Sequence, residues 1–315
     1  MATAKYRNRL PQLNGTVMLS DGGMETTMVF HKNIDLPFFS ATHLLRIENG
    51  EQIICDYFKP YIEIALASKR GLILGTPTWR ASPDWAAAMN YTPAEMEKTH
   101  RRAVALLAEI RNAHETRSSP FLISGDIGPR GDGYVPGAQM TADEATDYHL
   151  PQMELFASTE ADMITALTLN YVEEAIGIAR AAAAAGMPVA ISFTLETDGR
   201  LPTVQSLADA VMQVDAETKV APAYYMINCA HPTHFADAVA NGELWTRRIK
   251  GLRANASCMS HAELEACTEL DVGDPVELGG QYRALQVSLP DLCVFGGCCG
   301  TDHRHIAEIS RQIAA

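Results

Sequence analysis

The sequence holds no Cys-x-x-Cys pair. That argues against a ribbon-type structural zinc site and against a thioredoxin-like redox pair. No Gly-x-Gly-x-x-Gly follows the first apolar run, which lowers the case for a dinucleotide-binding fold. No stretch of about 18 apolar residues occurs, so no membrane span is expected. The opening residues, MATAKYRNRL, lack the apolar run of a secretory signal, and the cytoplasm is the expected location. Basic residues are few: 25 Lys and Arg face 38 Asp and Glu, a formal net charge of −13. An acidic surface repels phosphate backbones, so no nucleic-acid partner is expected. Linkers rich in Ser, Gly or Pro are also missing. The Gly/Pro-rich segment 127–142 reads as a long loop between a strand and a helix. The chain is therefore expected to be one domain over residues 1–315.

What is present is a repeated alternation. Short apolar runs occur at 17–23, 72–76, 121–128, 162–169, 187–194, 223–230, 249–256 and 292–297. The runs at 162–169 and 249–256 carry polar residues and are the least strand-like. Helix-like stretches lie between them at 49–69, 93–115, 143–160, 171–185, 204–218, 232–241 and 275–288, with a last one at 302–314. Buried strands alternating with amphipathic helices imply a parallel sheet. Eight such units predict an α/β (β/α)8 TIM barrel, with an open doubly wound sheet as its rival.

In such a barrel the active site lies at the C-terminal ends of the strands. Asp21, Gly22 and Gly23 end the first run; Thr76 and Thr78 end the second; Asp126 ends the third. Asn228 and Cys229 end the sixth, and Cys298 and Cys299 end the eighth. Three thiols from two strand ends can meet at one point. Three thiolates and an open position describe a catalytic zinc site rather than a closed structural one. Gly296, Gly297 and Gly300 are expected to permit the bend that two adjacent cysteines need to reach one ion. The bland reading of a buried cysteine is a small hydrophobe, and it is preferred for Cys55, Cys258, Cys267 and Cys293. The cysteines are expected to be reduced, which disfavours a Cys298–Cys299 disulfide. Thr301 reads as the N-cap of the last helix, with Asp302 complementing its dipole. His303 and His305 are read as helix residues outside the metal shell.

The segments DGGMETT (21–27), GDIGPRGDGY (125–134), YHLPQMELFASTEAD (148–162), INCAHP (227–232) and GGCCGTDHRHI (296–306) occur in this order. Together they resemble the motifs of the homocysteine S-methyltransferase family. That family includes betaine– and S-methylmethionine–homocysteine methyltransferases and the first domain of cobalamin-dependent methionine synthase. The resemblance covers nearly the whole chain. It implies a zinc-bearing barrel in which Cys229, Cys298 and Cys299 hold Zn2+ and an acceptor thiol takes the fourth position. It further implies two small-molecule partners: a thiol, homocysteine or a related one, and an onium methyl donor such as S-methylmethionine, S-adenosylmethionine or a betaine.

The substrate contacts expected on this basis are Asp21, Gly22, Gly23, Met24, Thr76, Trp79, Arg80, Leu167, Thr168 and Asn228. Amides near Gly22–Met24 would hold a carboxylate. Trp79 offers a ring face to a cationic donor, with Tyr134 and Trp85 as further candidates. Two positions depart from the family pattern. Arg80 stands where betaine-type members carry tyrosine, and suits a substrate carboxylate. Leu167 stands where members commonly carry the glutamate that helps bind the acceptor's amino group. The ammonium is then left to Asp21 and nearby carbonyls, or the acceptor is a thiol without it. A zinc hydrolase is the weaker alternative, because a tris-thiolate site is too electron-rich to be a good Lewis acid for water. A redox protein using the vicinal cysteines is the other.

Overall fold

The computed structural model describes residues 4–313. Its strands are β1 (Met18–Leu19), β2 (Gly71–Gly75), β3 (Phe121–Ile127), β4 (Met163–Leu169), β5 (Val189–Phe193), β6 (Tyr224–Asn228), β7 (Ile249–Ala254) and β8 (Val294–Gly297). They pair in sequence order, all parallel, into a closed barrel. The closing seam pairs Met18 with Val294 and Leu19 with Phe295. Each of the eight predicted runs coincides with one strand, including the two polar ones, although β2 begins one residue before its run. The open-sheet alternative is excluded by the β1–β8 seam.

The helices are α1 (Met24–Thr26), α2 (Gly50–Ser68), α3 (Pro83–Ala88), α4 (Pro93–His114), α5 (Ala142–Ala157), α6 (Val172–Ala184), α7 (Leu207–Thr218), α8 (Pro232–Val239), α9 (His261–Ala266), α10 (Pro275–Ser288) and α11 (His303–Gln312). The longer ones coincide with the predicted stretches. Residue 314, the expected end of the last, lies outside the described residues. Local chemistry sets their starts. Thr92 and Glu95 form a capping box on α4, and Thr141 and Glu144 form one on α5. Gly186 follows α6 with φ +69°, the left-handed stop expected before Pro188. The short α1, α3 and α9 were not predicted; at three to six residues they fall below the length at which periodicity is visible. No helix among the described residues is long and apolar enough to cross a membrane.

The barrel interior changes character along its axis. Its lower layer is apolar: Met18, Ile73, Leu122, Met163, Ala190, Tyr224, Met226 and Val294 cluster with Leu10. Side chains two positions along a strand share a face. Two residues further up, the same faces carry Ser20, Gly75, Ser124, Thr165, Ser192, Asn228 and Gly296. Here Ser124 and Thr165 share a hydrogen bond of 2.7 Å, and Ser192 donates to Asn228 at 2.6 Å. The lumen is thus plugged below and polar at the C-terminal end, where side chains are free to do chemistry.

Outside the barrel, α4 and α5 meet through a buried imidazole. His100 Nδ1 donates to the Met96 carbonyl at 2.8 Å, and its Nε2 accepts from Gln152 at 2.9 Å. Both bonds need the neutral ring, and burial pushes its pKa down to about 4, with the Met96 carbonyl partly opposing. The unfolded ring titrates near ~6.5. The folded state therefore binds fewer protons in this window, and this contribution is complete above about pH 6.5 and lost as pH falls toward about 4. Between pH 7 and pH 5 the loss expected is about 2 kcal/mol. Urea unfolding at both pH values checks it: a His100→Gln variant, able to donate to Met96, should show a correspondingly smaller drop. An equal drop in both proteins would refute the assignment.

Candidate metal centre and its cavity

The ladder hydrogen bonds continue past the strand ends and set the position of the cysteine turn. Gly297 N–H donates to Asp21 at 2.9 Å, Cys298 N–H to Ala254 at 2.8 Å, and Ala256 N–H to Cys299 at 3.0 Å. Cys229 N–H donates to Arg253 at 3.1 Å. Tyr282, from α10, braces the same place: its hydroxyl donates to Gly296 at 2.6 Å and accepts from Ala254 at 2.8 Å. The glycines divide the work differently from expectation. Gly296 and Gly297 belong to β8 and do not bend; a Cβ on them would overlap Ser20 and Thr301. Only Gly300 adopts the left-handed conformation, at φ +78°. Cys229 does so too, at φ +52°, an uncommon state for a non-glycine residue.

The result brings the three predicted sulfurs together. Those of Cys229, Cys298 and Cys299 lie within 4.8 Å of one another, the one such metal-competent group among the described residues. His303 and His305 stay outside it. His305 is buried and donates to Val272 at 2.8 Å. The α11 cap is Asp302, which accepts from Arg304 N–H at 2.9 Å. Thr301 is not the cap, because its hydroxyl is spent on Cys298 at 2.7 Å.

Cys229 and Cys298 are joined as a disulfide, while Cys299 is free. The expected alternative was the vicinal pair. The strand ends instead hold the Cα atoms of Cys229 and Cys298 5.4 Å apart, inside the range a disulfide uses. Once the three are thiolates the donor set fits zinc: three sulfurs that line one cavity. Burial pushes the Cys299 thiol up to about 11, so a nearby cation is needed to hold it as thiolate at neutral pH.

Asp21, Gly22, Gly23, Met24, Thr76, Trp79, Leu167, Thr168 and Asn228 line that cavity, as does Tyr134. Tyr134 points its hydroxyl at Cys299 Sγ, 3.9 Å away. Asn228 is fixed by Ser192 and by Thr168, whose N–H donates to it at 2.9 Å and whose hydroxyl accepts from it at 2.8 Å. The Trp79 indole N–H reaches the Leu167 carbonyl at 3.4 Å. Arg80 and Trp85 do not line the cavity. Arg80 lies between the Trp79 and Trp85 rings and is bound to Asp132 at 3.1 Å and to the Phe38 carbonyl at 2.7 Å. Of the amides at Gly22–Met24, that of Gly23 is taken by Thr301 at 3.0 Å.

The structure adds residues that the sequence did not single out. Arg253, from β7, enters the cavity and pairs with Asp21 at 2.8 Å. It also donates to Gly297 at 3.1 Å and to Gly22 at 3.3 Å. Burial works against its charge, but Asp21 and Asp126 raise its pKa overall. Tyr57, from α2, donates to Asp21 at 3.0 Å. Glu25 and Phe39 complete the wall.

Metal uptake should follow the redox state. After full reduction with zinc present, about one zinc per chain is expected, with protons released on binding. Before reduction the content should be well below one, and Cys298→Ser should stay low throughout. Exposed Cys267→Ser should behave as the parent protein. Elemental analysis reads all four; uptake by Cys298→Ser equal to the parent would contradict the assigned ligand set.

The family model for homocysteine S-methyltransferase matches residues 18–313. Homocysteine S-methyltransferase 1 of Zea mays is 23% identical over 332 residues, covering 94% of each chain. Homocysteine S-methyltransferase YbgG of Bacillus subtilis is 23% identical over 310 residues, covering 93% of each. In fold, the chain is similar to the homocysteine methyltransferase MmuM of Escherichia coli. The oxidized form gives a TM-score of 0.76 at 21% identity, covering 95% of this chain and 97% of that one. The metallated form gives 0.73 at 20% identity, covering 96% and 98%. With its closed barrel and three-sulfur cluster in place, the chain belongs to the homocysteine S-methyltransferase family and is a methyltransferase.

Proposed function

We propose that this protein is a zinc-dependent S-methyltransferase of the cytoplasm, moving a methyl group from a sulfonium or quaternary ammonium donor to homocysteine or a related thiol. The convergence of Cys229, Cys298 and Cys299 at the mouth of the lined cavity carries the reading. Zinc held by these three sulfurs supplies the charge that keeps an acceptor thiol deprotonated at neutral pH.

The chain's own residues do the rest. Asn228 and Thr168 brace the cluster; each places a polar atom 4.0 Å from a cysteine sulfur. The amides of Gly22 and Met24 are assigned to a substrate carboxylate, because the Gly23 amide is already used. Phe39, Trp79 and Tyr134 present aromatic surface suited to an onium group without N–H donors. Arg80 acts from behind this wall, stacked on Trp79. The transfer is one in-line displacement. The acceptor sulfur's lone pair forms the new S–CH3 bond, and the electrons of the breaking C–S or C–N bond return to the donor, which leaves neutral. The thiol proton passes to solvent. Holding both partners in line supplies much of the rate.

Reduced, zinc-loaded protein incubated with homocysteine and, in turn, S-methylmethionine, S-adenosylmethionine and a betaine should yield methionine with at least one donor. Cys298→Ser should fall to background. Absence of methionine with every donor would remove homocysteine as acceptor, and an acceptor screen over other thiols would then decide whether any methyl transfer remains.

A further inference from the structure

The cavity carries more acid than its own cation balances. Asp21 is already engaged, by the Arg253 guanidinium and the Tyr57 hydroxyl. Arg80 is paired with Asp132 and acts on Glu25 only at longer range. Two carboxylates remain on the wall. Glu25 stands in α1 on the cavity wall; its carboxylate has a backbone hydrogen bond and feels Arg253 and Arg80 at longer range, but no side chain among the described residues forms an ion pair or hydrogen bond with it. Asp126 is the next-to-last residue of β3; it is 7% exposed, and its Oδ1 has no hydrogen-bond partner. Burial pushes each up to about 7, and Glu25 adds to the rise at Asp126. Glu25 also lies within electrostatic reach of Cys299. An unpaired carboxylate in a cavity is a cost unless a ligand supplies the missing cation.

The chemistry of that cation follows from its partners. A carboxylate only accepts hydrogen bonds, and it binds best a cation that donates them. A sulfonium or a fully substituted ammonium donates none, and is served by ring faces. A primary ammonium fits the carboxylate. Asp126 Oδ1 is sealed from solvent, deep beside Gly75. Glu25 is only partly buried and has no such sealed, orphaned oxygen. Leu167, on the same wall, offers only apolar surface and a carbonyl already used by Trp79.

We propose that Glu25 is the specificity-determining residue for the acceptor: its carboxylate receives the ammonium of an amine-bearing thiol whose sulfur faces the three cysteines. Asp126 adds its field from below. This rests on the thiol-methyltransfer reading. It assigns the amine to α1 rather than to Asp21 or to position 167.

The test compares two thiols that differ only in the amine, L-homocysteine and 4-mercaptobutyrate, by calorimetric titration of the reduced, zinc-loaded protein without donor. The parent should bind homocysteine about 10- to 100-fold more tightly, the range of a charged hydrogen bond. Glu25→Gln, similar in shape, should keep its zinc content and its affinity for 4-mercaptobutyrate while losing that preference. With donor present, its KM for homocysteine should rise while its KM for the donor stays level. Equal binding of the two thiols by the parent overturns the assignment. So does Glu25→Gln weakening both alike or raising only the donor KM, or Asp126→Asn abolishing the preference while Glu25→Gln retains it. Failure of both thiols to bind the zinc-loaded parent instead removes the thiol-transfer reading itself, and the assignment with it.

Discussion

The mouth of this barrel is organised around one buried charge. Arg253 rises from β7, pairs with Asp21 beyond β1, and donates to the carbonyls of Gly22 and Gly297. These contacts tie three neighbouring strand ends across the seam where the barrel closes. The cysteine turn begins one residue after Gly297, so the guanidinium fixes where Cys298 starts. Such a pair is a demanding choice. Removing one partner of a buried ion pair costs about 3–5 kcal/mol, because the other is left stranded. The two carbonyls and the Tyr57 hydroxyl take up part of the remaining hydrogen-bonding capacity of the pair.

That choice also reassigns Asp21. At the end of the first strand, beside two glycines, it reads in sequence as an open substrate contact. In the folded chain its carboxylate is held by Arg253 and Tyr57, from β7 and α2. Neither partner is visible in the linear pattern. Arg253 falls in one of the two runs whose polar residues made them the least strand-like, yet those residues are explained by the burial pattern. Lys250 and Arg253 are the two partly exposed positions of an otherwise buried strand. Tyr57 and Tyr282 are buried residues of α2 and α10. Their rings are core, but their hydroxyls cross to the barrel mouth and satisfy groups there. Periodicity reports which face of a helix is buried, and is blind to what the tip of a long side chain reaches.

The barrel and its sulfur cluster were legible for the opposite reason. Alternating strands and helices depend on local apolar pattern, and the site location follows from topology alone. Cysteines at the ends of two such strands then have few other places to point. What the pattern could not give is the state of the pairings. Cys229 and Cys298 meet closely enough to bond, and Cys299, next in sequence, remains free. Likewise the GG of GGCCG looks like a hinge. It is a space requirement, set by Ser20 and Thr301 from across the seam, and the turn itself belongs to Gly300.

Charge balance connects these features. The cavity gathers three sulfurs and three carboxylates around a single guanidinium that is already shared. Left alone, such a cavity protonates: the thiol of Cys299 and the carboxylates of Glu25 and Asp126 are all pushed upward by burial. Protein cations relieve this only in part: Arg253 and Arg80 act against the rise, but Arg253 is shared with Asp21 and Arg80 is held by Asp132 and the tryptophan stack. The missing positive charge has to arrive with what the site binds. A metal ion satisfies the sulfur end. The carboxylates of α1 and β3 call for a second cation. A substrate that brings both a thiol and an ammonium answers both ends at once, which is why the position of Glu25, more than the identity of the cysteines, decides which thiol this barrel selects.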